Sequence, residues 1–158
     1  MRRLLLGIVV VFLLSASAFA RVVPIYSYEA LFKKADVVAI VKVTKIEDTT
    51  ARLEGASDPS LYQGKLANAT VGLMLKGEAR KTLSFQFFNY LPAKLKNVYL
   101  LDGAHFPDLS KAKSIHYLVF LKKTADGGLI LATGHFDAAQ SIAEVVPQSP
   151  DINVAPAK

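Results

Sequence analysis

Apolar and polar positions alternate in short stretches along most of this chain, and the period changes from one stretch to the next. After Ser27, the run Tyr28-Glu29-Ala30-Leu31-Phe32-Lys33-Lys34 predicts a helix of about two turns. Ser27 suits the N-cap, Glu29 the first turn and the two lysines the last, as the helix dipole favours. Residues 36–46 are rich in β-branched side chains and take on polar alternation after Val41, which predicts a long strand entering from a buried centre. Residues 65–76 alternate more regularly, with Ala67, Ala69, Val71, Leu73 and Leu75 on one face, and stop at Lys76-Gly77. In residues 80–90, Leu83, Phe85 and Phe87 share a face opposed by Ser84 and Gln86, the period-two signature of a half-buried strand. Residues 115–121 are apolar on both faces and read as a central strand. The turn Thr124-Ala125-Asp126-Gly127-Gly128 then leads into a strand over 129–133. Residues 138–146 fit either a short helix or a last strand.

Between these elements, residues 48–63 read as a polar loop with Gly55, Ser57, Asp58 and Pro59 at its tip. Residues 91–114 form the longest irregular stretch, carrying Pro92, Gly103 and Pro107, with room for a short strand at 98–101. Five or six strands and one short helix define a mainly β chain. The expected architecture is a small OB-like β-barrel, closed or partly open, with a short N-terminal helix, because closure removes exposed strand edges. A two-sheet β-sandwich is the alternative.

The first twenty residues follow a different pattern. Met1-Arg2-Arg3 precedes an apolar run over 4–14 and then Ser15-Ala16-Ser17-Ala18-Phe19-Ala20. The run is about 11 residues where a bilayer span needs roughly 20, and Ala18-x-Ala20 supplies the small residues of a cleavage site. Residues 1–20 therefore read as a signal peptide cleaved between Ala20 and Arg21, residues 21–146 as a single β-barrel domain, and residues 147–158, with three prolines, as a disordered tail. No other apolar stretch is long enough for a transmembrane anchor. The chain has no cysteine, hence no disulfide and no lipid-modified cysteine. The expected location is periplasmic or secreted.

Removing the leader arginines leaves 17 basic against 13 acidic residues, a formal charge of +4. Residues 76–123 hold nine of those bases against Glu78, Asp102 and Asp108, while the chain from Thr124 onward is acidic. A basic centre could attract anionic glycans, lipid headgroups or nucleic acid, while lysines interspersed along strands usually serve as a solvated face. The expected partner is an envelope or extracellular protein, or an anionic glycan. Lys94, Lys96, Lys111 and Lys113 accompany Tyr99, His105 and Phe106 in the long loop, a basic and aromatic mixture with no core duty; with His135 they form the expected binding set.

Catalytic chemistry finds little support. The chain lacks cysteine, a Gly-x-Ser-x-Gly elbow and the glycine motifs of phosphate and dinucleotide binding, so neither enzymatic activity nor a cofactor is expected. His105-Phe106-Pro107-Asp108 and His135-Phe136-Asp137 echo each other after a glycine or its near neighbour. Imidazole plus carboxylate could ligate zinc, so the alternative reading is a metal-binding protein or metal-dependent enzyme using His105, Asp108, His135 and Asp137. Neither spacing is a recognised ligand pair, and the main reading holds no metal. His116, between Ile115 and Tyr117, suits a hydrogen-bonded packing role. Phe85, Phe87, Phe88 and Tyr90 beside Arg80 and Lys81 could stack on single-stranded nucleic acid, but an exported chain would not meet it, so nucleic acid is not an expected partner.

The order of pieces carries one resemblance. A helix ending in Ala35-Asp36-Val37-Val38, a strand closing on Leu75-Lys76-Gly77, and Tyr117-Leu118-Val119-Phe120-Leu121-Lys122 before a glycine hairpin resemble bacterial secreted proteins similar to netrin-like and tissue-inhibitor-of-metalloproteinase domains. The resemblance covers residues 28–146 and implies an OB-type barrel acting as a binding or inhibitory module. The inhibitors of that group reach a protease zinc through an N-terminal cysteine, whereas this mature chain would begin Arg21-Val22-Val23-Pro24, so that mechanism does not carry over. N-terminal sequencing of the exported protein is expected to read from Arg21; a membrane-bound species retaining Met1 would replace the leader with an anchor.

Overall fold

The computed structural model of the chain describes residues 24–91, 104–109 and 115–146. Helix α1 runs Tyr28–Lys34 as its pattern dictates. The Ser27 hydroxyl accepts from the Ala30 amide at 3.2 Å. At the other end, Lys76 reaches over from a distant strand and donates to the carbonyls of Phe32 and Ala35 at 2.8 and 2.5 Å. These are carbonyls that a helix terminus leaves without intrahelical donors.

Among the described residues six strands follow: β1 Val37–Thr49, β2 Tyr62–Lys76, β3 Thr82–Tyr90, β4 His116–Lys123, β5 Leu129–Leu131 and β6 Ile142–Val145. The first five are ordered β1-β2-β3-β5-β4, and β4 pairs back onto β1 from Val37↔Leu121 to Val41↔Tyr117. That ladder closes the sheet into a mixed barrel of OB type and excludes the two-sheet sandwich. The β3–β5 contact is parallel, at Gln86↔Ile130, and β6 runs antiparallel to the first half of β4.

Closure of so small a barrel requires strongly bent strands, and β-bulges supply the bend. In the β1–β2 register, Thr44 of β1 and Gly72 and Leu75 of β2 face no partner residue. These extra residues overturn the single apolar face expected for residues 65–76. Ala67 and Ala69 belong to the interior and Val71 packs against it, but beyond the first bulge Met74 takes the inward place while Leu73 and Leu75 are exposed.

The interior is built from alternate residues of every wall. Val37, Ala39, Val41 and Val43 meet Phe85, Phe87, Tyr117, Val119 and Leu121. On the outside of β1 and β4, Leu31 and Ala35 of α1 cover Val38 and Phe120. A third cluster, Leu53, Tyr62 and Phe88, lies beneath residues 50–61. Leu53 is fully buried there, so the stretch expected to be a polar loop carries an apolar anchor of its own. Residues 138–146 combine a 3-10 turn, Ala138–Ser141, with strand β6. Burial of Phe85, Phe87 and Phe88 removes three of the four rings that could have stacked on nucleic acid. Residues 1–20, 98–101 and 147–158 lie outside the described residues.

Gly64, paired with both Thr49 and Phe88, has no room for a side chain. A Cβ there would stand 2.5 Å from Thr49 Oγ1 and 2.9 Å from the Ala51 carbonyl oxygen. Gly64→Ala is expected to lower unfolding free energy by about 1–3 kcal/mol in urea titrations, as overpacking does. Gly72→Ala, whose nearest neighbour would be 3.6 Å away, is expected to stay within about 0.5 kcal/mol. Equal effects at the two glycines would refute the close-approach account.

Candidate functional site

The far end of the β2–β3 ladder carries the site. Tyr62 and Tyr90 are directly opposed across the two strands, with ring centroids 5.3 Å apart. Phe106 meets both edge-on, at 5.8 Å from Tyr62 and 4.8 Å from Tyr90. The Tyr90 hydroxyl donates to the Ala104 carbonyl at 3.1 Å, so the strand end also holds the segment that brings Phe106.

Residues 104–109 are tied down from the other side as well. The His105 amide donates to the Phe136 carbonyl at 2.7 Å, and the Ala139 amide donates to the His105 carbonyl at 2.9 Å. The turn receiving them is stiffened internally. Gly134 adopts φ 82°, a left-handed conformation that glycine accepts without strain. The Thr133 amide donates to the Ser141 hydroxyl oxygen at 2.9 Å, and the Thr133 hydroxyl donates to the Asp137 carbonyl at 2.7 Å.

Between the end of β3, residues 104–108 and this turn opens a cleft of about 480 Å³. Asn89, Tyr90, His105, Phe106, Asp108 and Ala139 line it. Aromatic edges beside an amide, an imidazole and a carboxylate give contact area together with hydrogen-bonding groups, the usual composition of a recognition site. A second cleft of about 500 Å³, lined by Arg52, Ser60, Gln63 and Asp48 among others, shares Tyr62 with the aromatic cluster.

The echoing histidine segments are therefore neighbours in space through their backbones. Their side chains part company. His105 is exposed at the cleft, whereas the His135 ring is half-buried edge-on to Phe88 at 4.8 Å. Phe106 and Phe136 both pack against the Leu53–Tyr62–Phe88 cluster, so the shared His-Phe pattern anchors two segments to one satellite core. Among the described residues no group of three or more histidines and carboxylates could hold a metal ion. His116 is exposed at the start of β4, not packed as its apolar neighbours suggested. Lys94, Lys96, Tyr99, Lys111 and Lys113 lie outside the described residues.

Tyr117 points into the barrel, and its hydroxyl is buried without a hydrogen-bond partner among the described residues. Burial, then the carboxylates of Glu144 and Asp108, hold its pKa above the ordinary phenol value. It stays neutral across the physiological range. Sequence reasoning missed Asn89, Tyr62 and Ala139 as rim residues. Tyr90 carried a usable signal, since an aromatic closing the strand read over residues 80–90 marks its rim, whereas Tyr62 fell within the stretch read as a loop. The site is thus a cleft on the rim of an OB-type barrel. Among known proteins, the chain matches no family model and no curated protein.

Burial pushes the His135 pKa down, and Glu54 only partly opposes it. The unfolded chain then binds a proton more readily than the folded one. Stability should be fully present above the ordinary histidine pKa of 6.5 and fall as pH drops through that value toward the folded one. Glu47 and Asp126, whose pKa values are lowered by Lys45 and by Thr124 respectively, add losses only at more acidic pH, in the carboxylate range. His135→Gln should flatten the first window and leave the second, read as urea midpoint against pH. An unchanged slope near neutrality would sink the assignment.

Proposed function

We propose that this protein is a non-enzymatic, extracytoplasmic binding module, related in kind to netrin-like and inhibitor domains, which takes its partner at the rim cleft. The observation that carries this reading is the way the cleft is held. Segment 104–109 is fixed by Tyr90 on one side and by the 136–139 backbone on the other, on a closed barrel. A pre-organised surface of that kind reduces the ordering cost of association, which favours recognition. The leader-like residues 1–20 support a periplasmic or secreted location. Among the described residues no helix is long and apolar enough to cross a membrane. The partner proposed from the basic centre is an envelope or extracellular protein, or an anionic glycan, with Lys94, Lys96, Lys111 and Lys113 adding charge from the segments that flank residues 104–109.

The test compares capture from the native envelope fraction by the wild type and by Asn89→Ala/His105→Ala. The pair should lose about tenfold in affinity, a modest hot-spot effect. The thermal midpoint should barely move, because substitutions at such rim positions stay within about 0.5 kcal/mol. Replacing Lys94, Lys96, Lys111 and Lys113 with Ser should weaken the same capture most at low salt. Retention of the partner at wild-type affinity by both variants refutes the cleft as the recognition surface.

A further inference from the structure

Large exposed apolar side chains gather on the α1 side of the barrel. Ile25 is 95% exposed, Tyr28 63%, Phe32 41%, Leu73 51% and Leu75 47%. Tyr28 and Phe32 stand one helical turn apart, and the Tyr28 ring stacks on Phe120 of β4 at 6.0 Å. Phe32 lies 5.3 Å from the Lys76 ammonium. Leu73 leaves β2 on the same outer face, opposite Ile40, and the bulged Leu75 falls between it and Lys76. Apolar side chains clustered in this way mark an interaction surface rather than ordinary scatter.

The rim of the patch is cationic. Lys34 sits 4.8 Å from the Tyr26 ring, and Lys42 is exposed on the outer face of β1, two residues beyond Ile40. Glu29, the carboxylate of α1, is already ion-paired with Lys33. At a lipid surface a lysine stem lies along apolar neighbours while its ammonium reaches the headgroups. The chain path points the same way. Gln140 accepts from the Tyr26 amide at 3.2 Å and donates to the Pro24 carbonyl at 2.8 Å, which fixes the N-terminal strap beside this face.

We propose that the α1 face docks reversibly on an anionic lipid leaflet, with Phe32, Tyr28 and Leu73 entering the headgroup boundary and Lys34 and Lys42 meeting the phosphates. Apolar burial and electrostatic attraction act together in such peripheral binding. The site is separate from the rim cleft and does not depend on what the cleft recognises.

The test is co-sedimentation of the exported full chain, its amino terminus read by mass spectrometry, with vesicles of phosphatidylcholine alone or mixed with phosphatidylglycerol. Binding is expected to the mixed vesicles, to weaken with added salt, and to fall about tenfold in Phe32→Ser/Leu73→Ser. Lys34→Glu/Lys42→Glu, which touches only exposed side chains and decides the matter if the first variant misfolds, should fall by more than about tenfold, since each lysine is worth roughly fivefold. No binding, equal binding to neutral vesicles, or binding indifferent to both variants overturns the proposal. A lipid-free dimer abolished by Phe32→Ser/Leu73→Ser also overturns it, assigning the face to a second copy of the chain.

Discussion

Residues 38–41 of β1 are paired on both edges at once, with β2 on one side and β4 on the other. With no cysteine in the chain, that double ladder is what turns a row of strands into a closed wall. The same four residues distribute their side chains between two environments. Ala39 and Val41 enter the barrel, while Val38 faces out and receives α1. A slip of one residue along either ladder would exchange the two sets and expose the interior. Closure, core filling and the seat of the helix are therefore three consequences of one register.

The β2–β3 ladder extends that constraint to the rim. Its register runs unbroken from Thr70↔Thr82 to Tyr62↔Tyr90, with no bulge in between. The two tyrosines are consequently carried to the rim by regular pairing, not by loop conformation. Between the short β5 and β6, the turn takes up residues 104–109 through the Phe136 carbonyl and the Ala139 amide. A site assembled from strand ends and a hydrogen-bonded turn keeps its shape better than one built from an unsupported loop. The buried Leu53 adds to this from below, holding residues 50–61 against Tyr62 and Phe88.

Much of this was legible in the chain where side-chain period and local chemistry agree. Ser27, Glu29 and Lys34 delimit α1 through capping and the dipole, and Gly127-Gly128 marks the β4–β5 turn; both depend only on neighbouring residues. The outward turn of Leu73 was not legible, because a bulge is created by the partner strand and leaves no mark on the alternation of residues 65–76. Leu53 was hidden by the polar residues around it. His116 looked packed because it lies between apolar residues, yet in a strand the neighbours of a residue point to the opposite face. At the site, the repeated His-Phe pattern was visible, but its meaning was not. The phenylalanines, and not the histidines, make the shared contact, and only the pairing of His105 with Phe136 and Ala139 reveals it.

The turn at 138–141 joins the two surfaces discussed above. The Ala139 amide holds the backbone of His105 at the cleft, and the next residue, Gln140, holds Pro24 and Tyr26 beside the α1 face. Ser141, the last residue of the turn, is buried and bonded to Thr133, so both attachments belong to one internally tied segment. The orientation of the cleft relative to the α1 face is thereby set before anything binds. If the face rests on a lipid leaflet, a partner confined to the same leaflet meets the cleft in two dimensions and at a fixed tilt. Association then costs less rotational and translational entropy than it would between free molecules.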